Sequence, residues 1–301
     1  MTARPPRERG FALLLVIWVL AILAVVAAGF AAGTRSETRL ARNLLEAAEA
    51  RALAEAGVAR ATASLLEVDP RARWPAEGTP RRMSFDGGDI QVRIEDEDGK
   101  IDLNLAPTEL LSGLCAELAL SDDACAGLAA GVAARRRAAA AAAAAPRGAP
   151  VPRFGAPAAT PDRQDAAFTT IEELRQLPAL DAASFARLRP FVTVYAQSER
   201  IDPAVAPREV LLALPGVDPG EVERLLAARA AAAQTLAPLP PLTGAEAYVA
   251  PGQLHAATII AAARSAAGAS FTQRSVIALT GQPLTPVQVL EWRQEIEGAA
   301  E

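Results

Sequence analysis

The stretch RPPRERGFALLLVIWVL, residues 4–20, decides how the rest of this sequence is interpreted. Charged residues stop at Arg9, and from Phe11 to Gly33 no side chain carries a charge. About 23 residues at about 1.5 Å each form a helix of about 34 Å, enough to cross the hydrocarbon core of a bilayer. Residues 11–33 are therefore predicted to form a transmembrane helix.

The charges before this tract predict its orientation. Arg4, Arg7 and Arg9 are expected to stay in the cytoplasm, which sends everything after Thr34 across the membrane. A cleavable secretory signal is the alternative, with the small residues 27–29 near its cleavage site. Such a signal has an apolar core of only about 7 to 15 residues, shorter than this tract. A retained anchor is the preferred interpretation.

Helical spacing continues beyond the apolar tract. Leu40, Leu44, Val58 and Leu65 recur on one face among charged residues, and no strong helix breaker appears before Pro70. Residues 11–68 are thus predicted to form one helix of about 85 Å, apolar in its first half and amphipathic in its second. A helix of that length needs a partner along its surface.

A β-hairpin is predicted next, from the alternation in RRMSFDGGDIQVRIED, residues 81–96, with its turn at 86–89. The acidic run 95–98 followed by Gly99 invites comparison with an EF-hand calcium loop. With Gly99 at loop position 6, carboxylates would be needed where Ile94 and Leu105 stand. The acidic run is therefore interpreted as a solvated turn.

The middle of the chain is predicted to be helical and to contain a repeat. The pattern I-D-x-x-x-A-P-x-E-x-L occurs at residues 101–111 and again at 201–211, and each copy predicts a short strand that leads into a helix. The Ala/Pro-rich segment near 137–165 reads as a frayed helix end and a loop. After the Pro-rich joint 236–242, residues 258–281 again resemble strands around a Gly turn.

These patterns predict an α+β fold, in which a long N-terminal helix packs on a small antiparallel sheet and a large all-α domain is inserted. The expected divisions are 1–10 as a leader, 11–33 and 34–68 as the two parts of the helix, 69–105 as the first part of the α/β domain, 106–240 as the insert and 241–301 as the last strands. Aromatic residues are only 4% of the chain, so the cores are expected to consist mainly of Leu, Val, Ile and Ala.

Chemistry-bearing residues are sparse. Cys115 and Cys125, ten positions apart, could form a disulfide in an oxidising compartment or be two small buried residues. His255, the single histidine, lies in an apolar stretch without companion ligands and is interpreted as incidental. No catalytic triad, phosphate loop or metal-ligand spacing is present in the sequence, so no enzyme and no cofactor are predicted.

Nucleic-acid binding is the main alternative function suggested by a motif. LPGVDPGEVERLL, residues 214–226, resembles a helix-hairpin-helix, whose turn presents backbone N–H groups to a phosphate. Asp218 takes the place of the second glycine of that turn, and the chain carries a net charge of −5. Because both features repel phosphate, no nucleic-acid partner is predicted, and a membrane-anchored DNA-binding or uptake protein stays the alternative.

Four segments in this order resemble one family. They are RGFALLLVIWVL, IEDEDGKIDLNLAP, FTTIEELRQLPALDAASFARLRPFVTVYA and TGQPLTPVQVLEWRQ, at residues 9–20, 94–107, 168–196 and 280–294. Taken together, these segments make the sequence resemble the type IV pilin-like prepilins and, among them, the K-type minor pseudopilins of type II secretion (the general secretion pathway K family). That family is similar in having a helical domain inserted between pilin-like strands, of the helix-hairpin-helix or SAM-like kind.

The resemblance implies specific processing. A prepilin peptidase would cut after Gly10, and the new amino group of Phe11 would be methylated. Leu15 would then stand at the fifth mature position, where most pseudopilins carry a glutamate that draws each subunit beneath the previous one. A subunit without that carboxylate need not be recruited beneath another, which suits the first subunit at the tip.

The resemblance also implies a setting and partners. The protein would lie in the inner membrane as a single-pass protein with its globular part in the periplasm. Its partners would be the minor pseudopilins of the I and J type, the major pseudopilin, the prepilin peptidase and the inner-membrane secretion platform. Some relatives bind calcium in the helical domain, but here only Asp162 and Asp165 supply carboxylates in the corresponding loop.

Overall fold

A computed structural model describes residues 11–69, 72–144, 168–235 and 238–295. The predicted leader and cleavage residue Gly10, and the loop that contains Asp162 and Asp165, lie outside the described residues. The backbone of Phe11 is described as the first residue of a helix.

The chain begins its described part with one long helix, α1 (Phe11–Leu65), of 55 residues or about 82 Å. Its second half packs on a sheet through positions three or four apart, such as Ala50, Ala54, Val58 and Ala61, which are buried. The helix ends about three residues earlier than expected. Its last turn tightens as the Glu67 N–H bonds the carbonyl of Ser64, before the chain turns away.

The other elements follow in order along the chain. The strands are β1 (Arg81–Phe85), β2 (Gly88–Asp96), β3 (Ile101–Asp102), β4 (Val192–Thr193), β5 (Ala256–Arg264), β6 (Ser270–Leu279) and β7 (Val287–Glu295), and the helices after α1 are α2 (Thr108–Glu117), α3 (Asp122–Ala144), α4 (Ala182–Leu188), α5 (Arg208–Leu212) and α6 (Pro219–Thr235). Short 3₁₀ turns span Glu97–Gly99, Ile171–Gln176 and Arg189–Phe191.

Five strands form an antiparallel sheet in the order β1-β2-β5-β6-β7. Its inner face, lined by residues such as Ile90, Val92 and Ile259, packs against α1 in one hydrophobic core. Gly57 allows the close approach, because a Cβ there would lie 2.8 Å from a methyl carbon of Ile90. The hairpin predicted at 81–96 forms as β1 and β2.

A second, larger core lies within the helical part between β3 and β5. Leu110, Leu114, Leu174, Phe185 and Val210 are among its fully buried side chains. The predicted combination of a long helix, an antiparallel sheet and helical material between the strands is therefore confirmed as the α+β fold class.

Two details differ from the expectations. Ile101 belongs to a strand, β3, that pairs in parallel with β4, whereas Ile201 makes only an isolated parallel bridge to Val249. The second repeat thus lacks a true strand because only one residue pair aligns there. Strand β7 was not predicted as a strand of its own within residues 241–301. A bulge opposite Val276/Ile277 breaks the alternation of its side chains, so its pattern is weak.

Candidate functional site

The first half of α1 carries an apolar surface that no other described part of the chain covers. Leu15 is 53% exposed, and its neighbours on the helix are similarly accessible: Leu13, Leu14, Val16, Ile17, Trp18, Val19, Leu20, Ile22, Leu23, Val25 and Val26. Within the described residues, no helix is both long enough and apolar enough to span a membrane. The exposed surface continues at Leu40, Leu44 and Leu45, just before the helix reaches the sheet.

A buried ion pair joins the helical part to the sheet. The Lys100 ammonium lies 2.7 Å from a carboxylate oxygen of Glu97 and 3.0 Å from one of Glu95. Thr258 of β5 donates to Glu97 at 2.6 Å, and Thr193 of β4 donates to its other oxygen. Glu97 therefore bonds side chains from both parts of the molecule at once.

The electrostatics of this pair favour its charged form. Burial alone would raise the pKa of Glu97, but Lys100 and the hydrogen bonds of Thr193 and Thr258 together hold it below its ordinary value. Burial would likewise lower the pKa of Lys100, and Glu97 and then Glu95 outweigh it, so that this pKa is raised. Removing either partner would leave a charge buried without compensation.

A group of carboxylates adjoins the ion pair. Asp98 is only 2% exposed, and one of its oxygens accepts the N–H groups of Gln253 and Leu254 at 2.8 and 3.0 Å, with His255 Nδ1 at 3.6 Å. Burial, followed by the neighbouring charges of Asp98 and Asp202, raises the pKa of Asp96 to about 7. His255, interpreted from sequence as incidental, therefore lies beside a buried carboxylate.

The two copies of the repeated motif make matching contacts. Arg136 of α3 donates to the carbonyls of Leu103 and Ala106 at 2.7 and 2.6 Å. At the equivalent places in the second copy, Arg229 of α6 donates to the carbonyls of Pro203 and Ala206. Each arginine, in the second helix of its repeat, thus donates to carbonyls in the turn before the first helix of that repeat. The repeat seen in sequence is therefore also a repeat in structure.

The helix-hairpin turn is closed by its own carboxylate. Asp218 accepts the N–H of Gly220 at 3.0 Å at the start of α6. Gly216, with φ +80°, packs against the carbonyl of Gly244, and a Cβ there would lie 3.4 Å from that oxygen. A phosphate that approached this turn would meet the carboxylate before it met the backbone.

The two cysteines lie at neighbouring places on α2 and α3. Both are free thiols, with Cys115 buried in the helical core and Cys125 partly buried against it. Burial, together with a hydrogen bond that the Cys115 thiol donates to Cys125, raises the pKa of Cys115 to about 12. The disulfide therefore stays a prediction, between residues that are close enough to interact.

No group of three or more His, Cys, Asp or Glu residues placed to hold a metal ion occurs among the described residues.

The prediction that residues 95–98 form a solvated turn is wrong, because Glu97 and Asp98 are buried. The sequence signal for this burial was Lys100, a single cation that follows four acidic residues and can reach them.

Comparisons with known proteins agree with this architecture. The chain is 27% identical over 245 residues to Type II secretion system protein K of Pseudomonas aeruginosa, a match that covers 74% of this chain and 72% of that protein. It is similar in fold, with a TM-score of 0.51 and 16% identity, to a chain in the crystal structure of the GspK-GspI-GspJ complex from the enterotoxigenic Escherichia coli type 2 secretion system. That match covers 87% of this chain and 99% of the other. No family model matches the chain.

Proposed function

We propose, from the now confirmed resemblance to the K-type minor pseudopilins of type II secretion, that this chain caps the tip of the pseudopilus and helps start its assembly. It would act without catalysing a reaction, as a structural subunit during protein export across the outer membrane. The proposal joins two features of the molecule: a helix with a free apolar surface and a large helical part at one end of the sheet.

The position of the helical part is the observation that carries the proposal. Leu53 of α1 lies against Gly88 at the start of β2, and Gly57 lies against Ile90, so α1 and β2 run in the same direction. At about 1.5 Å per helical residue and about 3.3 Å per strand residue, the end of α1 lies near the end of β2. The chain enters the helical part directly after that strand, through Glu97 and Lys100.

The helical part therefore starts at the end of the sheet opposite the apolar tract of α1, and it also contacts β7. Another subunit that approached from the end of the helical part would be obstructed by it. The apolar first half of α1, at the other end, stays free to join other helices. Growth is then permitted in one direction only, which is what a capping subunit requires.

The residue at Leu15 supports the same role. It is apolar and exposed on α1, where a carboxylate would serve to pair with the amino group of a preceding subunit. Packing through small and branched residues such as Val16, Val19 and Ala24 would replace that charge pairing. The first subunit has no predecessor, so it needs no such carboxylate.

The remaining parts of the proposal concern the setting. Residues 11–33 would anchor the chain in the inner membrane after cleavage at Gly10 and methylation of Phe11, with the globular part in the periplasm. The arginines before Gly10 and the uncharged sequence after it support this arrangement. Partners would include the I-type and J-type minor pseudopilins, the major pseudopilin, the peptidase and the secretion platform.

Co-expression of the full chain with the I-type and J-type pseudopilins tests the partnership. Size-exclusion chromatography with light scattering should show one complex with one copy of each chain, and the chain alone should not polymerise. Leu15→Glu should leave this complex largely intact, because the helical part and not residue 15 sets the tip position. Homopolymers, or no association at micromolar concentration, would exclude the role.

Labelling assembled filaments with an antibody against the chain tests capping separately from partnership. Gold particles should mark one end of each filament. Particles spread along the filament, with the three-chain complex still formed, would keep the chain as a minor pseudopilin but remove it from the tip.

A further inference from the structure

A shallow groove with a volume of about 550 Å³ crosses the outer face of the sheet, on the side away from α1. The strand register places two rows of side chains on this face. Arg82, Gln91, Ala262 and Thr272 form the first row, and Ser84, Asp89, Arg264 and Ser270 form the second. All eight residues line the groove. Small side chains on β5 and β6 form much of its floor, and arginines rise from β1 and β5.

The two arginines are exposed, and neither is held in an ion pair. Neither Arg82 nor Arg264 forms an ion pair or a side-chain hydrogen bond with any residue that the structure describes. Arg93 lies two positions further along β2 on the same face and is also exposed. Three guanidinium groups thus face solvent together on a chain whose net charge is −5.

The acids of this face are directed elsewhere. Glu95 pairs with Lys100, and Glu295 pairs with Arg189 of the helical part. Asp89 is the only carboxylate among the lining residues; it lies opposite Arg264 in the strand register and accepts from the Ser84 hydroxyl at 3.4 Å. The groove is therefore a basic region on an acidic protein.

We propose that this groove binds a carboxylate-bearing, extended segment of a partner protein. A guanidinium presents two parallel N–H donors that match a carboxylate, and Arg82 and Arg264 provide two such forks, one from β1 and one from β5. Gln91, Ser84 and Thr272 offer further hydrogen bonds, and Ala262 leaves room for a backbone to approach. The overall negative charge of the chain makes this face the place where an acidic segment is least repelled.

Carboxylate is the proposed ligand, and a phosphate headgroup is the alternative that the experiment distinguishes. The proposal goes beyond the assembly role, because the groove lies on the sheet face away from α1. Failure to bind an acidic segment would leave the tip proposal standing.

Fluorescence anisotropy with the full chain in a neutral detergent tests the site. The probe is a fluorescein-labelled peptide of eight glutamates, with the same length of glutamine as the neutral control. We expect saturable binding of the glutamate peptide that weakens as salt rises, and no binding of the glutamine peptide. Arg82→Glu and Arg264→Glu should each weaken binding at least about tenfold, since each replaces a carboxylate-binding fork by a repelling charge.

Arg200→Glu is the matched control. Arg200 is exposed in a loop of the helical part, does not line the groove, and its replacement changes the net charge by the same amount. It should change the affinity less than about threefold. Circular dichroism and the urea midpoint confirm that each variant is folded, and Arg264→Lys, which keeps the charge but loses the fork, should fall between wild type and Arg264→Glu.

Three results would overturn the proposal. The first is a wild-type chain that does not bind the glutamate peptide at low salt. The second is an equal loss of affinity in the groove variants and in Arg200→Glu, which would mean that net charge alone decides. The third is displacement of the peptide by a water-soluble, short-chain phosphatidylglycerol at a concentration below that of unlabelled glutamate peptide, which would make the groove a lipid headgroup site.

Discussion

Asp96, at the junction between the sheet and the helical part, makes the stability of the fold depend on pH. It is buried at the end of β2, and its side chain accepts the Asp98 N–H at 3.0 Å. Burial and the nearby charges of Asp98 and Asp202 raise its pKa to about 7, so the folded protein holds a proton that the unfolded chain releases near pH 4. This proton stabilises the fold below pH 4, and its contribution is lost as the pH rises through about 7.

Asp96→Asn should remove this dependence, because an amide oxygen can accept the same N–H without carrying a charge. The stability of the variant relative to wild type should therefore rise by about 2 to 3 kcal/mol between pH 5 and pH 8. Urea unfolding at a series of pH values measures this difference.

Asp89→Asn is the control, since it changes the same charge at an exposed position of β2. Its relative stability should stay nearly constant over the same range. Parallel pH profiles for the two variants would show that Asp96 does not titrate differently in the folded protein.

The two helical repeats meet at a pair of equivalent positions on α2 and just after α5. A Cβ at Gly113 would overlap the carbonyl of Ala213, and the residues differ in number by one repeat length. The glycine is thus needed for close packing of the helices and not for an unusual backbone angle. Leu110 and Leu114 of the same helix are fully buried.

Gly113→Val should therefore separate these elements and lower the free energy of unfolding by about 2 to 4 kcal/mol, as overpacking does in a close contact. Ser112→Val places the same side chain at the adjacent, exposed position of α2 and should cost less than about 1 kcal/mol. Urea denaturation of both variants checks the comparison. Equal losses would mean that helix propensity, not the contact with Ala213, sets the cost.

At the scale of the whole molecule, α1 separates two environments. Its first half exposes apolar side chains, and its second half lies in the core between helix and sheet. The helical part starts where β2 ends and contacts the sheet along β7, where Arg189 and Tyr195 reach Glu295 and Glu291 at 3.4 Å. The proposed function therefore requires that the mature protein keeps the apolar first half of α1.

Gly10→Val should leave an uncut precursor in the membrane, because a prepilin peptidase needs a residue without a side chain at that position. Gly33→Val is the matched change at the far end of the apolar tract, where an ordinary signal peptidase would cut. It should leave processing unchanged. Intact mass and N-terminal sequencing of protein from membranes distinguish the two, and a mature N-terminus near residue 33 would replace the prepilin interpretation by a secretory signal.

Several features could be predicted from the sequence because they depend on local pattern. The 55-residue helix follows from an uninterrupted helical spacing, and the first hairpin follows from the alternation around residues 86–89. The repeated I-D-x-x-x-A-P-x-E-x-L motif indicated two matching helical units, and Arg136 and Arg229 make equivalent contacts in them. The helix and the hairpin depend on neighbours in sequence, so periodicity is enough to reveal them, whereas the two arginine contacts span 30 and 23 residues and were found only in the structure.

Other features were decided only by tertiary structure. Glu97, Thr193 and Thr258 are separated by about 100 and 65 residues along the chain, and their hydrogen bonds exist only because β2, β4 and β5 come together. The basic groove likewise needs β1, β2, β5 and β6 side by side before Arg82 and Arg264 can share a face. The sequence alone determined the helix and the hairpin, since these interactions are local, and the repeat, since it is a pattern of the sequence itself. Which charges are buried in pairs and which remain free was decided by long-range strand pairing, because that sets the desolvation and the distance of each group.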